Sequence, residues 1–143
     1  MSSQILVPLD GSSLAERALS CAVPLAQRLP AELVLLQAVW IPPDISVLLN
    51  DTTPELNAIV AQLETDAGGY LGGRTEQLRE MGLTAHYAVK HGPAAEVILG
   101  YAAQAGISQI VMATHGYSGF KRWTHGSVAE RVLQTASAPV LLV

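Results

Sequence analysis

Residues 107–143 read ISQIVMATHGYSGFKRWTHGSVAERVLQTASAPVLLV. An apolar run at 108–113 leads into a glycine-bearing polar stretch, 114–126. A helical pattern follows at 127–137, and a second apolar run, 139–143, ends the sequence given. In the helical pattern Val128, Val132, Leu133 and Ala136 recur at three- and four-residue spacing, which puts them on one face. Both flanking runs are continuously apolar rather than alternating, as strands buried on two faces are. The unit therefore reads strand, long loop, helix, strand. That order belongs to a parallel sheet with helical crossovers.

The same alternation extends toward the N-terminus. Three more apolar runs lie at 4–9, 32–39 and 84–89. A helix is expected over 13–29, where Ala15, Ala18, Leu19, Ala22, Leu25, Ala26 and Leu29 form a stripe and Ser13 with Glu16 reads as a capping box. Pro24 interrupts one backbone bond there and is expected to kink the helix. A further helix, 93–105, opens at Pro93 and closes at Gly106, while Pro139 limits the last helix. The segment 54–81 is helical in composition but carries GGYLGG at 68–73. Each interior glycine costs a helix about 1 kcal/mol against alanine, so one long helix with a weak centre is expected. The result is β-α-β-(loop)-α-β-α-β-α-β, an α/β fold with a five-stranded parallel sheet and helices on both faces. The order 3-2-1-4-5 is taken as the working topology, in a single domain spanning 1–143.

The chain has 143 residues, of which 50% are hydrophobic and 14% charged. That is enough to bury a core and too apolar for disorder. Eight Lys and Arg and a net charge of −4 leave no broad basic face for nucleic acid. The single cysteine, Cys21, rules out an intrachain disulfide and reads as a buried small apolar residue. No secretory pattern or membrane-length apolar run appears, so a cytoplasmic location is expected.

In open α/β sheets, ligands bind outside the carboxyl ends of strands where the strand order reverses. With order 3-2-1-4-5 that point falls between strands 1 and 4. Asp10 and Gly11 end the first strand, and the long polar stretch follows the fourth. Gly116, Gly119 and Gly126 allow close backbone approach and inward N–H groups. Gly126 also opens a helix, whose N-terminus attracts anions. Ser127 adds a hydroxyl, and Lys121 and Arg122 add cations. A helix cap explains part of this without any ligand, since Ser127 and Glu130 have capping-box spacing. A Walker loop, a dinucleotide fingerprint after the first strand and a nucleophile elbow are all missing. His86, His91, His115 and His125 lack metal-ligand spacing.

The stretches ILVPLDGS at 5–12, ELVLLQAV at 32–39 and, above all, 110–143 resemble the universal stress protein family, and the likeness runs through essentially the whole chain. The resemblance implies an adenine-nucleotide-binding α/β fold and a homodimer paired through strand 139–143. In the family's ATP-binding branch a glycine is followed by two residues, a glycine, nine residues, and glycine with serine or threonine. Here Ala113, Thr114, His115 and Gly116 open the motif, 117–125 are the nine, and Gly126-Ser127 closes it. The resemblance implies that the triphosphate lies on this loop, flanked by Met112 and Val128. It also implies that Asp10 meets the ribose or a Mg2+ (or Mn2+) ion held with the phosphates, with Pro8 beside it and Ala38 lining the adenine. Ala113 departs from the motif by adding a methyl where the backbone approaches the ligand, and Ala38 replaces a larger aliphatic residue. The implied function is an ATP-binding, dimeric stress-response module rather than an enzyme, with neither nucleic acid nor membrane as partner. The competing readings are a slow ATPase or nucleotide-transferring enzyme of related fold, and a structural dimer that binds no nucleotide.

Overall fold

A computed structural model describes residues 3–44, 54–114 and 127–143. Five strands form one parallel sheet: β1 (Ser3–Pro8), β2 (Ala31–Val39), β3 (Ala85–His91), β4 (Gln109–Met112) and β5 (Val140–Leu142). Their order is β3-β2-β1-β4-β5, the order assumed as the working topology. β1 lies central, with Ile5 opposite Leu33 on one side and opposite Gln109 on the other. The helices are α1 (Leu19–Arg28), α2 (Pro54–Glu80), α3 (Ala94–Ala105) and α4 (Ser127–Thr135).

The continuous apolar runs are explained by a core on each face. Side chains alternate across a strand, so Ile5, Val7, Leu33, Leu35 and Val111 enter one cluster with Ala22 and Ala26 of α1 and Leu71 and Leu78 of α2. Their sequence neighbours Leu6, Val34, Leu36, Ile110 and Met112 enter the other, with Ile98 of α3 and Ala129 and Val132 of α4. The stretches 5–8, 33–36 and 110–112 of the inner strands thus face a helix layer on either side, which leaves no polar alternation there. Cys21 is partly buried against the first cluster.

The start of the first helical segment differs from expectation. Residues Ala15–Ala18 form a 3-10 turn before α1, and the N-cap position of that turn is Leu14, which makes no side-chain cap. The cap is supplied one residue before Ser13. Asp10 Oδ1 accepts from the Ser12 backbone N–H at 2.9 Å and from the Ser12 hydroxyl, while Ser12 Oγ accepts from Ala15 N–H at 3.1 Å. A hydroxyl can donate and accept together, so Ser12 closes the turn. Glu16 is drawn instead to α2. It takes Nε and Nη2 of Arg74 at 3.2 and 2.6 Å and the hydroxyl of Tyr70. A charge-assisted pair with a second donor outcompetes a local cap.

The long helix is continuous through its glycines. It is held by tertiary burial of Ala67, Leu71, Thr75 and Leu78 along one face, and burial of that kind outweighs local propensity. Gly72 also gives room to a neighbour: a Cβ there would stand 3.7 Å from the Tyr87 ring of β3. In α3 the cap is Pro93 itself and the helix begins at Ala94, with Gly106 closing it left-handed at φ 65°.

Candidate cleft at the carboxyl ends of the strands

The site begins where β1 runs out. Pro8 is its last residue and buried, Leu9 follows in the core, and Asp10 emerges partly exposed. Gly11 has φ 87°, a conformation that side chains with a Cβ adopt at a cost. This lets the chain turn sharply and keeps Asp10 aimed across the sheet edge. Among the described residues the hydrogen bonds its carboxylate accepts fall on Oδ1, from Ser12, so its orientation is set.

Asp10 and Ala38 meet in one cleft of about 240 Å3, lined also by Gln37, Val39, Trp40, Leu63, Gly92 and Ala94. An adjoining crevice joins Asp10 and Gln37 to Asp66, Ala67 and Tyr70 of α2. The floor is the carboxyl end of β2, one wall is α2, and the opposite wall is the turn from β3 into α3. Gly92 shapes that turn. It sits at φ 133°, donates its N–H to Val39 O at 3.0 Å, and a Cβ there would lie 3.2 Å from Val97 Cγ2. Gln37 Oε1 is out of solvent with no hydrogen-bond partner among the described residues. A buried acceptor left unpaired is costly, so a ligand donor reaching this atom would relieve the penalty. Tyr70 keeps its proton firmly. Burial first, then the hydrogen bond and charge of Glu16, push its hydroxyl above the usual phenol range. It can serve as a neutral wall of the crevice but not as a base.

The remaining expected residues fall into two groups. Met112 ends β4 and Ala113 follows it, both in the core at 0% and 1% exposed. Thr114 follows and donates its backbone N–H to Val143 O at 3.1 Å, which fastens the tip of β4 to the far end of β5. Ser127, exposed, and Val128, packed against the second core cluster, open α4. His115, Gly116, Gly119 and Gly126 lie outside the described residues, as do Lys121 and Arg122. Ala113 is enclosed by protein at the tip of β4. Reading the sequence missed Gln37, Trp40, Leu63, Gly92 and Tyr70. Gly92 had a visible signal, a glycine before Pro93 at a strand end. The α2 residues had none, because nothing in a helical pattern says which strand tip it will overhang.

Among the described residues, no group of three or more His, Cys, Asp or Glu could hold a metal ion. Nor is any helix among them long and apolar enough to cross a membrane.

A family model described as the universal stress protein family matches residues 1–143. The chain is 31% identical over 147 residues to universal stress protein YxiE of Bacillus subtilis, covering 100% of this chain and 99% of that protein. The fold is similar to that of hypothetical protein MJ0577, with a TM-score of 0.81 and 27% identity over 100% of this chain and 96% of the other. Two structures share the fold at lower identity. One is the universal stress protein from Archaeoglobus fulgidus in complex with dAMP, at TM-score 0.66 and 18% identity, covering 99% of this chain and 97% of that one. The other is a universal stress protein in complex with cAMP, at TM-score 0.66 and 16% identity, covering 99% and 96%.

Proposed function

The chain belongs to the universal stress protein family, and from that premise we propose that it is a cytoplasmic, dimeric ATP-binding module whose nucleotide occupancy acts as a regulatory signal. The observation that carries this reading is the cleft in which Asp10 and Ala38 meet at the carboxyl edge of the sheet, next to the point where strand order reverses. Adenine nucleotides held by two proteins of the same fold support the ligand class. The base lies against Ala38, the ribose reaches Asp10, and the triphosphate runs toward the segment with Gly116, Gly126 and Ser127.

The chemistry of Asp10 fits a divalent cation held jointly with phosphates. Its Oδ1 is engaged by Ser12, which leaves one carboxylate oxygen for a hard cation. Mg2+ takes one or two carboxylates and completes its octahedron from phosphates and water. When bound, the ion would neutralise phosphate charge. Within this chain Asp10 orients and Ser12 fixes Asp10. Gln37 offers an acceptor to a ligand hydroxyl or amine.

Calorimetric titration with Mg-ATP tests the proposal: saturable binding at one nucleotide per chain is expected. At a hundredfold excess over the dissociation constant, the native state should gain about 2.7 kcal/mol. No heat and no thermal shift at millimolar ATP would refute it. Mass spectrometry of nucleotide released from the purified protein separates the readings further. ATP recovered intact supports the binding module, ADP formed with turnover an ATPase, and the absence of nucleotide a structural dimer.

A further inference from the structure

We infer that the indole of Trp40 forms the outer wall of the base subsite and holds a nucleobase by stacking. The inference rests on the nucleotide-binding reading above and adds a residue that the family motif does not supply. Trp40 is the first residue after β2 and is 50% exposed, large for so apolar a ring. It lines the cleft shared by Asp10 and Ala38, and also an adjoining hollow of about 200 Å3 whose lining is largely aliphatic, with Val39, Leu56, Val60 and Leu63, and includes His91. The cleft thus combines a carboxylate, an indole and the aliphatic side chains of Ala38, Val39 and Leu63. A nucleoside combines the matching chemistry: a hydroxyl-bearing sugar joined to a flat, apolar-faced base. Small-molecule sites have this character, mostly apolar with a few placed polar groups. Ala38 contributes only a methyl to the floor, so a base resting there is left with an uncovered face. Among the described residues that line this cleft, Trp40 is the aromatic ring available to cover it. Stacking on an aromatic ring does not require a particular base, so Trp40 would strengthen binding of any purine nucleotide while the polar groups set register.

The chain has two tryptophans, so Trp123→Phe leaves Trp40 as the sole indole reporter. In that background adenosine and ATP should change Trp40 emission saturably, and inorganic triphosphate should not. In the otherwise unaltered chain Trp40→Ala should weaken ATP binding about tenfold, equivalent to 1.4 kcal/mol. Trp40→Phe should recover most of the loss, and affinity for inorganic triphosphate should be the same in all three proteins. Because the ring is half in solvent, Trp40→Ala should keep its circular dichroism and melting profile. Trp40→Phe provides a second comparison if it does not. Equal ATP affinity in the parent and Trp40→Ala proteins, or a triphosphate affinity that falls in parallel, overturns the role of Trp40 while leaving nucleotide binding standing. Absence of ATP binding to the parent overturns both.

Discussion

Ala113 shows how one methyl can be read in two ways. By position in the motif it stands where a glycine lets the backbone approach phosphate. By burial it is a core residue, 1% exposed, directly after Met112 in β4. Replacing it with glycine removes a buried methyl, worth about 0.8 kcal/mol, and frees the unfolded backbone, worth a further 0.4–1 kcal/mol. Ala113→Gly should therefore lower stability by about 1–2 kcal/mol in chemical denaturation and leave ATP affinity within about twofold. Affinity that tightened severalfold would show that the methyl does face the ligand. Glu16 makes the same point about neighbours. Its spacing from Ser13 has the form of a cap, yet the Arg74 guanidinium of α2, at 2.6 Å, takes it, because a two-nitrogen ion pair joined by the Tyr70 hydroxyl offers more donors than one backbone N–H.

At the level of elements, α2 carries four glycines inside its 27 residues. A Cβ built at Gly68, Gly69 or Gly73 meets nothing within 4 Å. Each Gly→Ala change should thus raise stability by about 0.5–1 kcal/mol through the backbone alone, read as a higher melting temperature. A fall at any one would mean that its open side is occupied by something outside this chain. The contact of α2 with the turn before α1 also carries a pH signature. The Tyr70 hydroxyl is pushed above its ordinary value in the folded state, while in the unfolded chain it titrates near 10. Between those values the unfolded state has lost a proton that the native state keeps, so stability falls as pH rises. The contribution is fully present below about pH 10. Tyr70→Phe should flatten the alkaline limb of the stability profile, and an unchanged limb would show that Tyr70 is not held by Glu16 in solution.

For the molecule as a whole, the proposed dimer turns on the outer edge of β5, which pairs with no further strand among the described residues. The strand is three residues long and pairs with β4 on one side. Leu141 is 37% exposed, and residues 139–143 carry no charge. Uncharged apolar edges are covered in most soluble proteins, and a second copy of the chain would cover this one through 139–143. Light scattering at micromolar concentration should report a dimer, and Leu141→Lys should shift it to monomer with the fold retained. A monomeric parent, or a dimer indifferent to the lysine, would place the interface elsewhere.

The class of fold was legible in the sequence because it depends on local period and burial. Runs such as 32–39, apolar at nearly every position, can only be strands covered on both faces when helical stripes alternate with them. The Asp10 turn marked itself as a strand end before a glycine, whereas Ala38 was named only through the resemblance to the family. Strand order entered as an assumption, because nothing in β1 states which neighbours flank it; the pairing of Ile5 with both Leu33 and Gln109 is a property of the assembled sheet. The cleft walls were likewise decided by tertiary structure alone. Trp40, Leu63 and Gly92 come from three different elements, and their shared cavity exists only once α2 has docked over β2 and β3 has turned into α3. Local sequence sets which face of an element is buried, whereas distances between elements come from packing that no single segment encodes.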